Sequence, residues 1–178
     1  MIAFWRSAWI WLTYRRRGRL DLFEHSRLRL RVWPGDLDLN FHMNNGRYFT
    51  IADLGRLDWG LRSNVWRSAL RRGWRPMAGD SNARYSRSLQ PFERYTLNST
   101  LLGWDDKWFF CEHRYESRGR VCATVLVRYL FVSKRGKVPT RKVLELAGHD
   151  YASPALPEYL ERWHQAQDLL SAELKAGS

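Results

Sequence analysis

Between residues 81 and 132 the sequence offers four stretches patterned as β-strands with almost nothing between them, and no other feature narrows the possible folds as much. The stretches are 81–89, 94–104, 107–116 and 120–132. They are separated at Gln90-Pro91-Phe92, Trp104-Asp105-Asp106 and Ser117-Arg118-Gly119, each of which carries turn-forming residues. A parallel crossover consumes a dozen residues or more, so connections this short require antiparallel neighbours. The last stretch is apolar almost throughout, as a central strand covered on both faces should be.

The residues ahead of this meander complete the architecture. Residues 27–33 alternate, with Leu28, Leu30 and Val32 on one face and Arg27, Arg29 and Arg31 on the other, which predicts a half-buried strand. Pro34-Gly35 ends it. From Asn45 to Leu61 the period changes: Tyr48, Ile51, Leu54 and either Leu57 or Asp58 recur at helical spacing, with Asn44 or Asn45 as the N-cap. A shorter helix over about 64–72 stops at Gly73. After Pro154 and Pro157 a terminal helix over about 158–174 places Tyr159, Trp163, Ala166 and Leu170 on one stripe. One strand, a long helix and four antiparallel strands make an α+β layer architecture, in which the sheet can curl around the helix.

Composition bounds the function classes. The 178 residues hold 44% hydrophobic positions, enough for one real core, and two cysteines, which exclude a disulfide scaffold and a four-cysteine zinc module. A reducing, cytoplasmic setting is the simpler expectation. The five histidines show no metal-ligand spacing, no metal is expected, and no phosphate-binding glycine loop or nucleophile elbow occurs. A net charge of +12 calls for an anionic partner. Nucleic acid is disfavoured, because the basic residues are dispersed and no recognition module collects them. The first 14 residues are apolar and aromatic, interrupted by Arg6 and followed by Arg15, Arg16, Arg17 and Arg19. That run is shorter than the roughly 20 residues of a spanning helix, and its charges follow the apolar stretch instead of preceding it as in a signal peptide. Two readings stay open: residues 1–19 contact a membrane interface peripherally, at its inner face, or they pack on their own domain.

Chemistry concentrates in Asp36-Leu37-Asp38-Leu39-Asn40-Phe41-His42-Met43-Asn44-Asn45, between the first strand and the long helix. If extended, this segment projects Asp36, Asp38, Asn40, His42 and Asn44 to one side. A carboxylate, an amide and an imidazole so placed can serve as base or nucleophile, orienter and proton carrier. The helix that follows starts with unpaired backbone N–H groups that suit a developing oxyanion. These parts fit acyl transfer. They also fit a loop of ordinary helix caps with a structural His42.

The order Asp36-x-Asp38-x-Asn40-x-His42-Met43-Asn44-Asn45-x-x-Tyr48, opening a long helix ahead of a strand meander, resembles the hotdog-fold acyl-CoA thioesterases of the 4-hydroxybenzoyl-CoA thioesterase type. Leu89-Gln90-Pro91-Phe92-Glu93-Arg94 and the segment from Gly103 to Phe110 extend the match. The resemblance implies a hotdog fold, a curved antiparallel sheet wrapped around the 45–61 helix, over a domain of residues 26–148. An aromatic and basic segment (1–25) would precede it and a helical extension (149–178) follow it. It further implies hydrolysis of a fatty or aromatic acyl-CoA or acyl-carrier-protein thioester, with coenzyme A as part of the substrate and no separate cofactor. Asp38 matches the catalytic carboxylate, and Asp38, Asn40 and His42 match the proposed catalytic set of plant acyl-carrier-protein thioesterases. Backbone N–H groups near Asn44, Asn45 and Gly46 would polarise the thioester carbonyl. Asp36 would be structural or electrostatic, Tyr48 a core residue, and some of Arg84, Arg87 and Arg128 could meet the phosphates of coenzyme A. Such domains form homodimers or dimers of dimers with the site at the subunit interface. The alternative function is a non-catalytic acyl-CoA or lipid-binding module at the membrane.

Overall fold

The described residues, 2–177 of a computed structural model, run α1 (Ile2–Thr13), β1 (Ser26–Arg31), α2 (Asn45–Arg62), α3 (Val65–Arg71), β2 (Arg75–Tyr85), β3 (Arg94–Trp104), β4 (Phe109–Ser117), β5 (Arg120–Ser133), β6 (Gly136–Val138), α4 (Thr140–Ala147) and α5 (Glu158–Ala176). Met1 and Ser178, the outer ends of the expected N-terminal segment and C-terminal extension, lie outside the described residues. The strands form one antiparallel sheet in the order β1-β3-β4-β5-β2, with β6 also on β5. The short turns after Trp104 and Ser117 produce the β3-β4-β5 meander that their length demands, but the connection at Gln90-Pro91-Phe92 does not join neighbours: the chain leaves the sheet after Tyr85, and β2 pairs with β5 at the far edge and not with β3. The curled sheet wraps around α2.

The strand expected at 81–89 is displaced. β2 begins at Arg75 and ends at Tyr85, paired with Ala123–Val132 of β5 around a bulge between Ala78 and Asp80. Pro76 and Gly79 disguise its first half, since both read as breakers. β2 is an edge strand, where a missing ladder donor is tolerated. At the other end the N–H groups of Ser86 and Arg87 both donate to the Cys122 carbonyl (2.8 and 2.9 Å), and the chain leaves the sheet there.

The sheet is covered on both faces. On the concave face Tyr48, Ile51 and Leu54 of α2 pack against Leu28, Leu97, Tyr115 and Val125. The approach is close at Gly55: a Cβ there would lie 1.9 Å from Ser99 Oγ of β3, so only glycine lets the helix seat. On the convex face Trp108, Phe110 and Leu130 meet Leu160 of α5, with Trp163 beside them. The terminal helix is therefore turned from the expected stripe. Leu160, Trp163, His164, Gln167 and Ser171 face the sheet, while Tyr159, Ala166 and Leu170 are exposed. The cause is polar: α5 must bring His164 and Asp168 to Arg128.

Arg128 lies within the central strand and is only 2% exposed. Its guanidinium donates to Asp80 on β2 (2.5 Å) and to Asp168 on α5 (2.6 Å), and its plane sits 4.6 Å from the Trp108 ring. A buried charge so fully paired locks the outer helix to the sheet and cannot bind a coenzyme phosphate. Arg128 is therefore a structural arginine and not the phosphate contact that its strand position allows in sequence.

The N-terminal segment packs on the domain through one face. Ile10 and Tyr14 are buried, Arg6 pairs with Asp36, and Arg17 reaches the fully buried Asp58 of α2. Ser26 and Arg62 complete the shell around Asp58 (2.6 and 3.1 Å), so the position left open between Leu57 and Asp58 belongs to an ionic anchor.

Candidate active site

The segment from Asp36 to Asn44 is folded back on itself and not extended, which corrects the one-sided array. After a 3-10 turn at Pro34–Asp36 the chain forms a tight loop closed by the bridge of Leu37 with Met43. Asp38 N–H donates to the His42 carbonyl (3.0 Å) and Phe41 N–H to the Asp38 carbonyl (3.1 Å). Phe41 takes a left-handed conformation at φ 57°, a strained position for an aromatic residue, to make the reversal. The loop is buttressed from behind, since Met43 N–H donates to the Leu89 carbonyl (2.9 Å).

This folding brings Asp38 and His42 together. Asp38 Oδ2 lies 3.3 Å from His42 Nδ1, an ion-pair distance without hydrogen-bond geometry, and Nδ1 is a buried atom with no other partner among the described residues. Asp38 Oδ1 accepts the backbone N–H groups of Asn40 (2.9 Å) and, at greater length, His42 (3.5 Å). The Asp38 side chain keeps 20% of its surface open. Asn40 is not brought in: its backbone orients Asp38, but its exposed side chain makes no hydrogen bond among the described residues.

The helix N-terminus is more occupied than expected. Asn44 N–H donates to the Asp36 carbonyl (2.9 Å), and Gly46 N–H to the Asn44 side chain (2.8 Å), the N-cap bond. Of the three residues assigned to carbonyl polarisation, Asn45 alone has an N–H with no acceptor among the described residues. Its own carbonyl accepts from Tyr85 Oη of β2 (3.1 Å), which ties the helix start to the sheet edge.

Asp36 is structural, as expected. Its carboxylate is 1% exposed and takes two hydrogen bonds from Arg6 (3.1 and 2.7 Å) and one from Trp33 N–H (3.0 Å). Arg6 reads in sequence only as an interruption of an apolar run, and nothing near it signals a partner thirty positions away. Tyr48 is core as well. Burial pushes its hydroxyl up to about 12, so it stays protonated at neutral pH and accepts the Leu89 N–H (3.4 Å).

Behind the loop, Glu93 organises the turn before β3. Burial alone would raise its carboxyl. The Arg87 guanidinium (2.5 Å), the Gln90 N–H (2.9 Å) and the Ser117 hydroxyl (2.7 Å) outweigh burial and hold it down at about 2. Arg87 is thereby engaged in structure. Arg84, exposed on the edge strand with no acceptor among the described residues, is left of the three arginines considered for coenzyme phosphates.

The geometry therefore offers one partly exposed carboxylate beside an imidazole, at the start of a helix with an open N–H. Among the described residues no group of three or more His, Cys, Asp or Glu is placed to hold a metal ion. A family model described as the thioesterase-like superfamily matches residues 32–163. Protein THEM6 of Xenopus laevis is 34% identical over 158 residues, which cover 88% of this chain and 75% of that protein. The fold is similar to the crystal structure of YbaW, a probable thioesterase from Escherichia coli, with a TM-score of 0.62 at 19% identity over 68% of this chain and 97% of that one. It is also similar to Slr0204, a 1,4-dihydroxy-2-naphthoyl-CoA thioesterase from Synechocystis, with a TM-score of 0.59 at 12% identity over 69% and 94%.

Proposed function

Since this chain belongs to the thioesterase-like superfamily and is a thioester hydrolase, we propose that it cleaves a fatty or aromatic acyl-CoA, or the corresponding acyl-carrier-protein thioester, at Asp38. The observation that carries the assignment is the contact of Asp38 with His42 at a carboxylate that solvent can still reach. In the mechanism we infer, Asp38 takes a proton from water as the water oxygen bonds to the thioester carbon. The Asn45 N–H meets the oxyanion that forms. Collapse of the tetrahedral adduct breaks the carbon–sulfur bond, and the proton held on the Asp38–His42 pair passes to the departing thiolate. The products are a free acid and a free thiol, with every proton accounted for. The backbone N–H groups of Asn40 and His42 hold the carboxylate in place, and the His42 imidazole lies beside the oxygen that takes the proton.

The edge position of β2 supports a homodimer as the working form. Its outer ladder groups lack a partner strand in one chain, and Met77 and Tyr85 stand exposed along it. Leu39 and Phe41, 97% and 75% exposed at the loop tip, are apolar groups for a second subunit or an acyl chain to cover. Arg84 on the same strand is the group we assign to the phosphates of coenzyme A.

Thiol release from a panel of acyl-CoA and acyl-carrier-protein thioesters, measured on the purified chain, tests this reading. Turnover of at least one member is expected, and binding without turnover across the whole panel would leave a non-catalytic acyl-CoA module. A single turnover in heavy-oxygen water separates the routes, since label must appear in the free acid and not in the Asp38 carboxylate if Asp38 acts as base.

A further inference from the structure

α1 is apolar on two opposite faces, and only one of them is covered. The inner face carries Ile10 into the core and pairs Arg6 with Asp36, and the 3-10 turn that follows adds the buried Tyr14 and pairs Arg17 with Asp58. The outer face presents Phe4, Trp5, Trp9, Trp11 and Leu12 to solvent, with Trp5 68% and Leu12 81% exposed. A helix of twelve residues is about 18 Å long, short of a bilayer's hydrocarbon thickness of about 30 Å. None of the described helices is long and apolar enough to cross a membrane. The two ion pairs fix the helix against the domain, so the outer face cannot be buried by rolling it inward.

The surroundings of this face are basic. Arg16 and Arg19 follow the helix and are exposed. Beside it, a groove of about 940 Å³ between α1, β1 and β3 is lined by Trp5, Trp9 and Trp33 and by Arg29, Arg31 and Arg94. Those three guanidinium groups have no acidic partner among the described residues. Glu116 is the one acidic residue on the lining.

We propose that the outer face of α1, together with the arginine-lined groove beside it, is a docking surface for a lipid bilayer carrying anionic headgroups. Tryptophan and arginine are the side chains that suit this boundary. The indole ring lies at headgroup depth with its N–H still solvated, and the guanidinium pairs with phosphate in a fork. A helix lying in the plane buries its apolar face without crossing. Charge decides against a second copy of the chain as the occupant. An isologous contact would press Arg16 and Arg19 against their own equivalents, in a protein that already carries +12. Asp38 is not on the lining of this groove, and the proposal stands whether or not the hydrolase reading does.

The test is sedimentation of the full chain with phosphatidylcholine vesicles, with and without about one-third phosphatidylglycerol, at about 50 and about 500 mM salt. Binding is expected to the anionic vesicles only, and to weaken at least tenfold at the higher salt. Each arginine near the surface is worth about fivefold, so Arg16→Glu with Arg19→Glu should weaken binding by about 25-fold or more. Trp5→Ser with Leu12→Ser should abolish it at an unchanged melting temperature, because both side chains are exposed. If that apolar pair unfolds the protein, the charge pair carries the test alone. Equal binding to neutral vesicles, or anionic binding untouched by the substitutions, overturns the proposal. So does self-association in light scattering that vanishes in Trp5→Ser/Leu12→Ser without vesicle binding.

Discussion

Asp36 and Asp38 stand two positions apart in one loop, and their surroundings are opposite. Asp36 is sealed, with three hydrogen bonds to its carboxylate and Arg6 alongside. Asp38 is partly open, with one oxygen tied to backbone N–H groups and the other facing His42 without a hydrogen bond. A carboxylate whose acceptor sites are filled cannot take a proton without losing those bonds, so it holds structure. A carboxylate with one oxygen pinned and the other free is positioned for chemistry and still available for it. The same residue type thus divides into a strut and, on the function proposed, a base according to how many donors reach it.

Exchanging the two roles by mutation is the largest test of that division. Asp38→Asn should lower kcat about a thousandfold, within the range for losing a positioned base, and leave the melting temperature within about 2 °C. Asp36→Asn should do the reverse. Leaving Arg6 unpaired costs about 3 kcal/mol, which lowers the melting temperature by about 9 °C, while the folded fraction keeps kcat within a few-fold. Turnover is read by thiol release and stability by calorimetry. A stable but inactive Asp36→Asn, or an active Asp38→Asn, breaks the comparison. Adding Arg6→Met to Asp36→Asn should recover part of the lost stability, because the orphaned charge goes with it.

The two aspartates were unequally legible. The alternating run around Asp38, and the resemblance it carries, mark the loop, and the two shortest turns dictate the β3-β4-β5 meander; the turn at Gln90-Pro91-Phe92 does not show that β2 crosses to the far edge beside β5. What sequence could not show is which groups meet across long separations. Arg6 pairs with Asp36, Arg17 with Asp58 and Arg128 with Asp168 over 30 to 41 positions, and none of these pairs leaves a local periodic trace. The first half of β2 is masked because Pro76 and Gly79 look like breakers and an edge strand tolerates both. The Asn40 side chain stands apart from Asp38 and His42 because the left-handed turn at Phe41 removes the alignment that an extended chain would give alternate residues.

A second carboxylate extends the contrast to pH. Glu93 is as sealed as Asp36, with its carboxyl held at about 2 against an ordinary value of 4.5. A lowered acid contributes its full stability above the unfolded value of 4.5 and loses it as pH falls through the folded value near 2. Glu93→Gln should therefore cost about 2 kcal/mol at neutral pH, discounted because Arg87 is partly exposed. The gap from wild type should close between pH 4.5 and 2 in acid unfolding curves. A constant gap across that range would mean that packing, and not the charge, holds the turn.

The smallest effect belongs to Asn44, and it separates two roles at the helix start. Its side chain accepts the Gly46 N–H, so Asn44→Ala should cost about 1 kcal/mol of stability, the ordinary worth of an N-cap. The substitution also releases the Gly46 N–H toward whatever binds there. If Asn45 supplies the oxyanion donor, as its open N–H suggests, kcat stays within about twofold, since the donor is untouched. A fall of tenfold or more with the cap cost unchanged would put the Asn44 amide itself against the substrate. A rise would identify Gly46 N–H as a second oxyanion donor, held back in the wild type by its own cap.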